Sequence, residues 1–553
     1  MGKTKGGVTI KTINGKTYYY FQWYQDGKKR SKSISLEEYE KIINDRKNVD
    51  MDFNFARFES LSVLYGASLK SSLSFLKDWE KRDCYAEIEK YISSSPNGKV
   101  LVLYGLRRTG KTSLMFQSIL SHLDEINKSA YLLCNTQTKM SDINLILNGL
   151  SEKGFKYVYI DEITLADDFI SSSQFLSDIY GLKMKIVLSG TDSLGFAIAS
   201  KENLYDRSLL IHTTYIPFKE FSRVLKINDI DKYIEYGGTL VSEGIDYHSN
   251  EYPTFYNEKT TMEYVDTAIS RNIQKSLENY DDGSKFMRLR NLTESNELVG
   301  IINRIVQDNN HRFIASIINR SFKSNDFGSL KDLLRKQKKH DALRTILDTI
   351  DEKEIYKTIQ DKLDISATSI DQESADELYE YLKMLDVVDT IDVINLENRT
   401  KIESVVFTQP GLRYAQAKEL LETLIYQPSL LNVPRVYLDA IFSTLLNDVK
   451  GRILEEVVIL NEKRMRRSNV FKASFLIGEI DMCIDEKDGV SLYEIKHSIE
   501  TDDMQTRHLV DESKVGLLSS AFGEIKSRNV LYRGPNQVKS GINYINVEDY
   551  LKS

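Results

Sequence analysis

Eight residues constrain this chain more than any others. Gly105-Leu-Arg-Arg-Thr-Gly110-Lys111-Thr112 has the pattern GxxxxGK[ST], lying directly after the apolar run Lys99-Val-Leu-Val-Leu-Tyr104 and directly before an amphipathic stretch. A strand, a glycine-bounded loop and a helix N-terminus in that order form a cradle of backbone N–H groups for phosphates. The candidate cofactor-binding residues are Gly105, Arg108, Thr109, Gly110, Lys111, Thr112 and Ser113. In this reading the cofactors are ATP and Mg²⁺: Lys111 reaches the β- and γ-phosphates, and the Thr112 hydroxyl ligates the metal. Further strands are expected at 129–134, 157–160 and 185–189, with helical patterns between them, and this alternation predicts a parallel α/β sheet.

The apolar run Tyr157-Val-Tyr-Ile160 ends in Asp161-Glu162. Asp161 is expected to help hold Mg²⁺ and Glu162 to polarise the attacking water, because in-line hydrolysis needs a positioned acceptor as well as charge stabilisation. Ser189 and Thr191, at the end of the next strand, are equal candidates for sensing the γ-phosphate. Arg207 reads either as an arginine finger acting on a neighbouring subunit or as a solvated surface arginine.

With 553 residues, 41% of them hydrophobic, the chain has room for several domains. We divide it into 1–48, a basic module of three strands and a helix; 49–95, a helical connector; 96–225, the nucleotide-binding core; 226–363, a helical lid and insertion; 364–425, a winged-helix-like segment; and 426–553, a second α/β unit. The net charge of −7 gives no global attraction to nucleic acid, so any such surface must be local. Three cysteines without CxxC spacing and the lack of a long apolar run point to a cytoplasmic chain with no membrane segment.

Charge does segregate locally. Residues 1–48 hold 11 Lys/Arg against 5 Asp/Glu, and their three expected strands (8–13, 16–25 and 28–34) are joined by Asn14-Gly15 and Asp26-Gly27. Ser35 and Glu38 are placed as the capping box of a helix over 36–46. Tyr20, Trp23, Lys28, Lys29, Arg30 and Lys32 are the candidate nucleic-acid contacts, with DNA as the expected ligand. The aromatics either stack on bases or pack the module's own helix. The segment Asp364–Glu397 is the reverse case, with 10 acidic residues against Lys383 alone. Phosphate would be repelled there, so this segment reads as a contact for a protein partner.

Near the C-terminus, Gly478-Glu-Ile-Asp481 precedes Tyr493-Glu494-Ile-Lys496 on the next expected strand. Glu494 and Lys496 share a strand face, so with Asp481 they can converge on one metal and its water, with Glu455 as a third carboxylate. Alternating charges on a strand also describe a solvated face.

Taken in order, these features resemble the AAA-type ATPases of the extended STAND-like group, bacterial and archaeal, that carry a C-terminal PD-(D/E)xK nuclease-like domain. The resemblance rests also on Ile216-Pro-Phe-Lys-Glu220-Phe221, Tyr233-Ile-Glu-Tyr-Gly237-Gly238, Phe407-Thr-Gln-Pro-Gly411-Leu412 and Gly451-Arg-Ile-Leu-Glu455. It implies an ATP-driven switch or motor, oligomeric, joined to a DNA-associated domain in which Asp481, Glu494 and Lys496 cut under nucleotide control. The alternative is an assembly platform whose C-terminal domain does not cut. The chain departs from the family pattern at Asn272, where members often have aspartate, and in a long helical insertion around 280–350.

Overall fold

The computed structural model describes residues 6–13, 16–25, 28–35, 38, 61–73, 79–166, 168–201, 204–240, 254–279, 286–323, 330–332, 334, 350–364, 371–465 and 469–553. Three sheets organise these residues. The first is an antiparallel meander of β1 (Gly6–Ile13), β2 (Lys16–Gln25) and β3 (Lys28–Ile34). The expected capping box is present, the Glu38 N–H donating to Ser35 Oγ at 3.0 Å and the Ser35 N–H to Glu38 Oε2 at 3.1 Å. The rest of the helix expected over 36–46, and both hairpin dipeptides, lie outside the described residues.

The second sheet has six strands: β4 (Leu61–Tyr65), β5 (Val100–Tyr104), β6 (Ser129–Cys134), β7 (Tyr157–Asp161), β8 (Lys185–Gly190) and β9 (Ser208–His212). Their spatial order is β4-β6-β7-β8-β5-β9, with only β4 antiparallel to its neighbour. The parallel α/β core expected from the alternation is therefore present. Its central strands are apolar throughout because both faces are covered, one by a core around Leu132, Ile160 and Leu188, the other by a core around Leu103, Met115 and Val187. Since β8 lies between β5 and β7, the end of β8 separates the phosphate loop from Asp161.

The third sheet combines β10 (Val388–Asn395), β11 (Thr400–Phe407), β12 (Asn469–Ser474), β13 (Glu479–Glu486), β14 (Gly489–Ile495), β15 (Ile525–Tyr532), β16 (Gln537–Lys539) and β17 (Ile542–Asn546). The β10–β11 hairpin of the acidic segment pairs with β12, so one sheet runs from that segment into the C-terminal unit.

The acidic segment spends its charge inside the chain. Asp386 meets Arg464, Asp389 meets Lys463 at 2.8 Å, and Asp392 meets Lys401 at 2.9 Å. Glu373 meets Arg288, and Glu377 accepts the Arg288 and Leu289 N–H groups. These intramolecular partners neutralise part of the acidic run. Arg288, Lys463 and Arg464 come from distant sequence.

One apolar core joins the elements after β9 to the C-terminal sheet. Phe218 and Phe221 share it with Ile318, with Leu438 to Leu460 of the helix Arg435–Met465, and with Met482, Ile484 and Leu531. A buried cation crosses the same region: Arg413 pairs with Glu456 at 3.2 Å, contacts Asn309, and lies over the Phe313 ring. Replacing Arg413 by alanine strands Glu456 in an apolar setting. It should cost roughly 3–5 kcal/mol, read as a lowered urea midpoint for the full chain.

Candidate nucleotide and metal sites

The phosphate loop leaves β5 through Gly105 at φ 142° and enters the helix Lys111–Leu120 through Gly110 at φ 87°. Both positions demand glycine. A Cβ on Gly105 would come within 2.4 Å of the Thr213 carbonyl, and one on Gly110 within 2.5 Å of Leu240. Thr109 is buried, its hydroxyl donating to the Leu106 carbonyl at 2.8 Å, so it shapes the loop from within. Arg108 leaves the loop to donate to Thr254 Oγ1 at 2.7 Å. Ser113 follows Thr112 in the first turn of the helix. Lys111 is buried and donates to the carbonyls of Gly105 and Leu106 at 2.9 and 2.8 Å, which holds the ammonium over the loop. Burial pulls its pKa down to about 8, and a phosphate arriving there would raise it again by favouring the charged form.

Asp161 is the centre of the sheet edge. Its Oδ2 accepts from Thr112 Oγ1 at 2.6 Å and from Tyr131 OH at 2.7 Å, while Oδ1 accepts from the Ser189 hydroxyl and the Glu162 N–H. A hydroxyl and a carboxylate in contact, beside a phosphate cradle, are the donor set Mg²⁺ takes. Glu162 stands in the left-handed region at φ 54°, which turns its side chain out of the strand line. Burial raises its pKa, against the pull of Lys111, as suits a group that must accept a proton. The two sensing candidates part here. Ser189 is bound to Asp161, while Thr191 lies beyond the strand, its carbonyl accepting from Asn272 Nδ2 at 3.0 Å.

Arg207 is not brought to this site. Its carbonyl accepts the Val100 N–H at the opposite, amino edge of the sheet, and its guanidinium pairs with Asp178 at 2.7 Å. Three contributors lay outside the sequence reading. Tyr131 comes from β6, separated from the strand before the loop by β7 and β8. Arg82 supports the loop from outside, donating to the Thr109 carbonyl at 2.8 Å while paired with buried Glu220 at 2.5 Å. Tyr131 and Arg82 belong to no quoted motif, and Glu220 lay inside one without a role assigned to it.

The C-terminal sheet builds a second cluster. Lys496 Nζ lies 2.9 Å from Asp481 Oδ2 and 2.6 Å from Glu494 Oε2, and the Ile495 N–H adds a bond to Asp481 Oδ2 at 2.8 Å. A bulge aims Asp481: Phe471 pairs with Cys483 but Ala473 with Ile480, so Asp481 and Met482 face the single Lys472. Glu455, Glu479 and Asp481 each bring an oxygen within 4.8 Å of the others. Glu479, two residues before Asp481 on the same strand, is the carboxylate the sequence reading omitted; its spacing was the available signal. Cations hold this cluster together. Lys472 and Arg452 both reach Glu455 Oε2 at 2.7 Å, and Arg452 reaches Glu479 at 2.6 Å.

Burial opposes ionisation of Asp481, yet Lys496 and Lys472 outweigh it and hold the carboxyl well below its ordinary range. Glu494 goes the other way, raised by burial and then by the Asp481 charge. Its Oε1 is buried without a hydrogen-bond partner, which a metal ion or a proton would satisfy. A cavity of about 580 Å³ opens over Asp481, Glu494 and Lys496. Of the proposed nucleic-acid contacts, Tyr20 and Trp23 lie on β2, Lys28, Lys29 and Arg30 on β3, and Lys32 on β3 with its side chain exposed.

Residues 97–222 match the model of an AAA domain, and residues 2–43 that of a domain of unknown function (DUF6788). The first span contains the phosphate loop and Asp161-Glu162, so this part of the chain is similar to AAA-type ATPase domains. The uncharacterized protein MJ1544 of Methanocaldococcus jannaschii is 32% identical over 143 residues, 25% of this chain and 31% of that protein, so the chain spans under a third of this relative. Among solved structures, the Walker-type ATPase paby2304 of Pyrococcus abyssi is 12% identical, covering 61% of this chain and 95% of its own, at a TM-score of 0.25. Cdc6p from Pyrobaculum aerophilum is 14% identical, covering 64% and 98%, at 0.24. Likenesses this distant carry no argument about fold or function. Among the described residues no helix is long and apolar enough to cross a membrane.

Two variants separate binding from chemistry at the ATPase site. Lys111→Ala should lower ATP hydrolysis by about a hundredfold or more through lost phosphate contact. Glu162→Gln should keep ATP binding within about threefold while hydrolysis falls to a similar degree. Fluorescent-nucleotide titration beside phosphate release reads both.

Proposed function

We propose that this chain is a DNA-associated ATPase whose nucleotide cycle controls a metal-dependent nuclease-like site in its C-terminal sheet, in the setting of defence or mobile-element biology. In this reading Lys111 holds the β- and γ-phosphates, Thr112 and Asp161 hold Mg²⁺, and Glu162 takes the proton of the attacking water. The basic β1–β3 module brings the protein to nucleic acid through Lys28, Lys29, Arg30 and Lys32. Hydrolysis proceeds in an oligomer, cytoplasmic in location.

The observation that carries the C-terminal half is the placement of one ammonium, Lys496, between Asp481 and Glu494 at the floor of an open cavity. Phosphodiester hydrolysis needs a nucleophilic water, charge neutralisation at the phosphorus and a stabilised leaving oxygen. Asp481 and Glu494, with Glu455 and Glu479 beside them, fit a divalent cation that would supply the activated water. Lys496 would stabilise charge on the phosphate.

One observation favours the second reading, a nucleotide-gated binding or assembly platform that does not cut. Arg452, Lys472 and Lys496 already satisfy Glu455, Glu479 and Asp481, so the cluster is held without a metal. The two readings diverge under one assay. With Mg²⁺ and ATP, Asp481→Ala should abolish DNA cleavage while leaving ATP hydrolysis within about twofold, and Lys111→Ala should show whether cleavage follows the nucleotide. Absence of cleavage on single-stranded, duplex and branched DNA selects the platform.

Metal binding at Glu494 carries its own signature. Because burial and Asp481 keep its carboxyl protonated above the ordinary range, metal uptake must displace that proton, and affinity must rise with pH. Calorimetry in two buffers of different ionisation enthalpy should detect proton release, and Glu494→Gln should remove it.

A further inference from the structure

The cavity over Asp481 and Glu494 adjoins a second of about 660 Å³, and the two share Arg320, Lys496, Gln505 and Arg507 in their walls. The cations of this region divide into two groups. Arg452 is held by Glu455 and Glu479, and Arg533 by Asp231 at 2.7 Å. Arg320 and Arg507 are exposed, and among the described residues neither pairs with a carboxylate. The Arg507 guanidinium donates instead to His508, a ring that cannot neutralise its charge. Each arginine therefore keeps a planar fork of donors free for an anion at the metal cluster.

Apolar side chains stand beside the same cavity. Phe475 and Gly478 line it, and the turn between them lifts Leu476 and Ile477 to 87% and 82% exposure, while Met504 on the facing loop is 63% exposed. A duplex keeps its base faces stacked and offers such side chains the backbone and base edges. Unstacked bases offer them apolar faces.

We propose that the two adjoining cavities form one groove for a single nucleic-acid strand. Arg320 and Arg507 hold phosphates on either side of the one presented to Asp481, Glu494 and Lys496, and the bases rest on Leu476, Ile477 and Met504. This rests on the nucleic-acid reading of the C-terminal site given above. The groove is composite, because Arg320 belongs to the helix Leu298–Lys323 and not to the C-terminal sheet. That helix, 26 residues or about 39 Å long, packs Leu298 and Ile302 into the core that holds Leu106 of the phosphate loop, and Ile314 and Ile318 into the core beneath the C-terminal sheet. One wall of the groove is thus rooted beside the nucleotide.

The test uses the full chain with Lys28, Lys29 and Arg30 replaced by glutamate, which suppresses binding by the N-terminal module. Fluorescence anisotropy in Ca²⁺ compares a labelled single-stranded oligonucleotide with its duplex over a salt series. The expected result is tighter binding of the single strand, with Arg320→Ala and Arg507→Ala each weakening it several-fold and reducing the salt slope by about 0.7. Leu476→Ser/Ile477→Ser should weaken the single strand more than the duplex. ATP hydrolysis, expected unchanged in all three variants, confirms that they fold. Equal affinity of the arginine variants and the parent, equal binding of duplex, or an apolar-turn variant that changes self-association instead of strand affinity overturns the groove. If strands bind as described but Asp481→Ala shows that nothing is cut, the groove stands and the nuclease reading falls.

Discussion

Everything at the ATPase edge is arranged around one buried carboxylate. Asp161 is 2% exposed, and an isolated charge at that depth would cost several kcal/mol. It is tolerated because hydroxyls of Thr112, Tyr131 and Ser189 and one backbone N–H converge on its two oxygens. Those donors come from the loop helix, β6, β8 and the turn after β7. Their convergence requires the strand order observed, with β8 between β5 and β7. The phosphate loop is then fixed from outside by Arg82, whose charge is itself buried only because Glu220 is buried with it.

The same logic extends to the C-terminal sheet, with a different balance. Four carboxylates, Glu455, Glu479, Asp481 and Glu494, face three cations, Arg452, Lys472 and Lys496. Ionisation of all seven leaves one negative charge, and the burial of Glu494 beside Asp481 sets which group takes the proton. The cluster thus rests close to neutrality, and a divalent cation must compete with ammonium and guanidinium groups already in place. Affinity for metal is lowered by that competition, while the fold gains a site that is stable without it.

What the sequence disclosed follows from the range of the interactions involved. The phosphate loop, the strand before it and Asp161-Glu162 were legible because each is a local run whose spacing carries its own chemistry. The Ser35–Glu38 capping box was legible for the same reason. Glu494 and Lys496 could be placed on one face because strand alternation is local as well. Tyr131, Arg82 and Lys472 could not, since each acts on a residue 17 to 138 positions away and no pattern in the chain marks the partner. The acidic run 364–397 was legible as a charge excess, but its intramolecular cations were not, because Arg288, Lys463 and Arg464 come from other elements.

The two sites are joined by packing and not by a linker. Phe218 and Phe221 follow β9 closely and lie in one core with Met482 and Ile484 of β13, the strand that carries Asp481. Asp231, in the helix Ile230–Tyr236, binds His497 at 2.7 Å and Arg533 at 2.7 Å, and His497 directly follows Lys496. The hydrogen bond from His497 and the nearby cations hold the Asp231 carboxyl well below its usual range, so the contact persists as an ion network across neutral pH. Close-packed interiors do not deform smoothly, and a displacement at one boundary is passed on or resisted as a unit. In the proposed reading, a shift of the helices beyond β9 on nucleotide exchange would press on the end of the sheet that carries Asp481 and Lys496, a mechanical route from the nucleotide site to the second one.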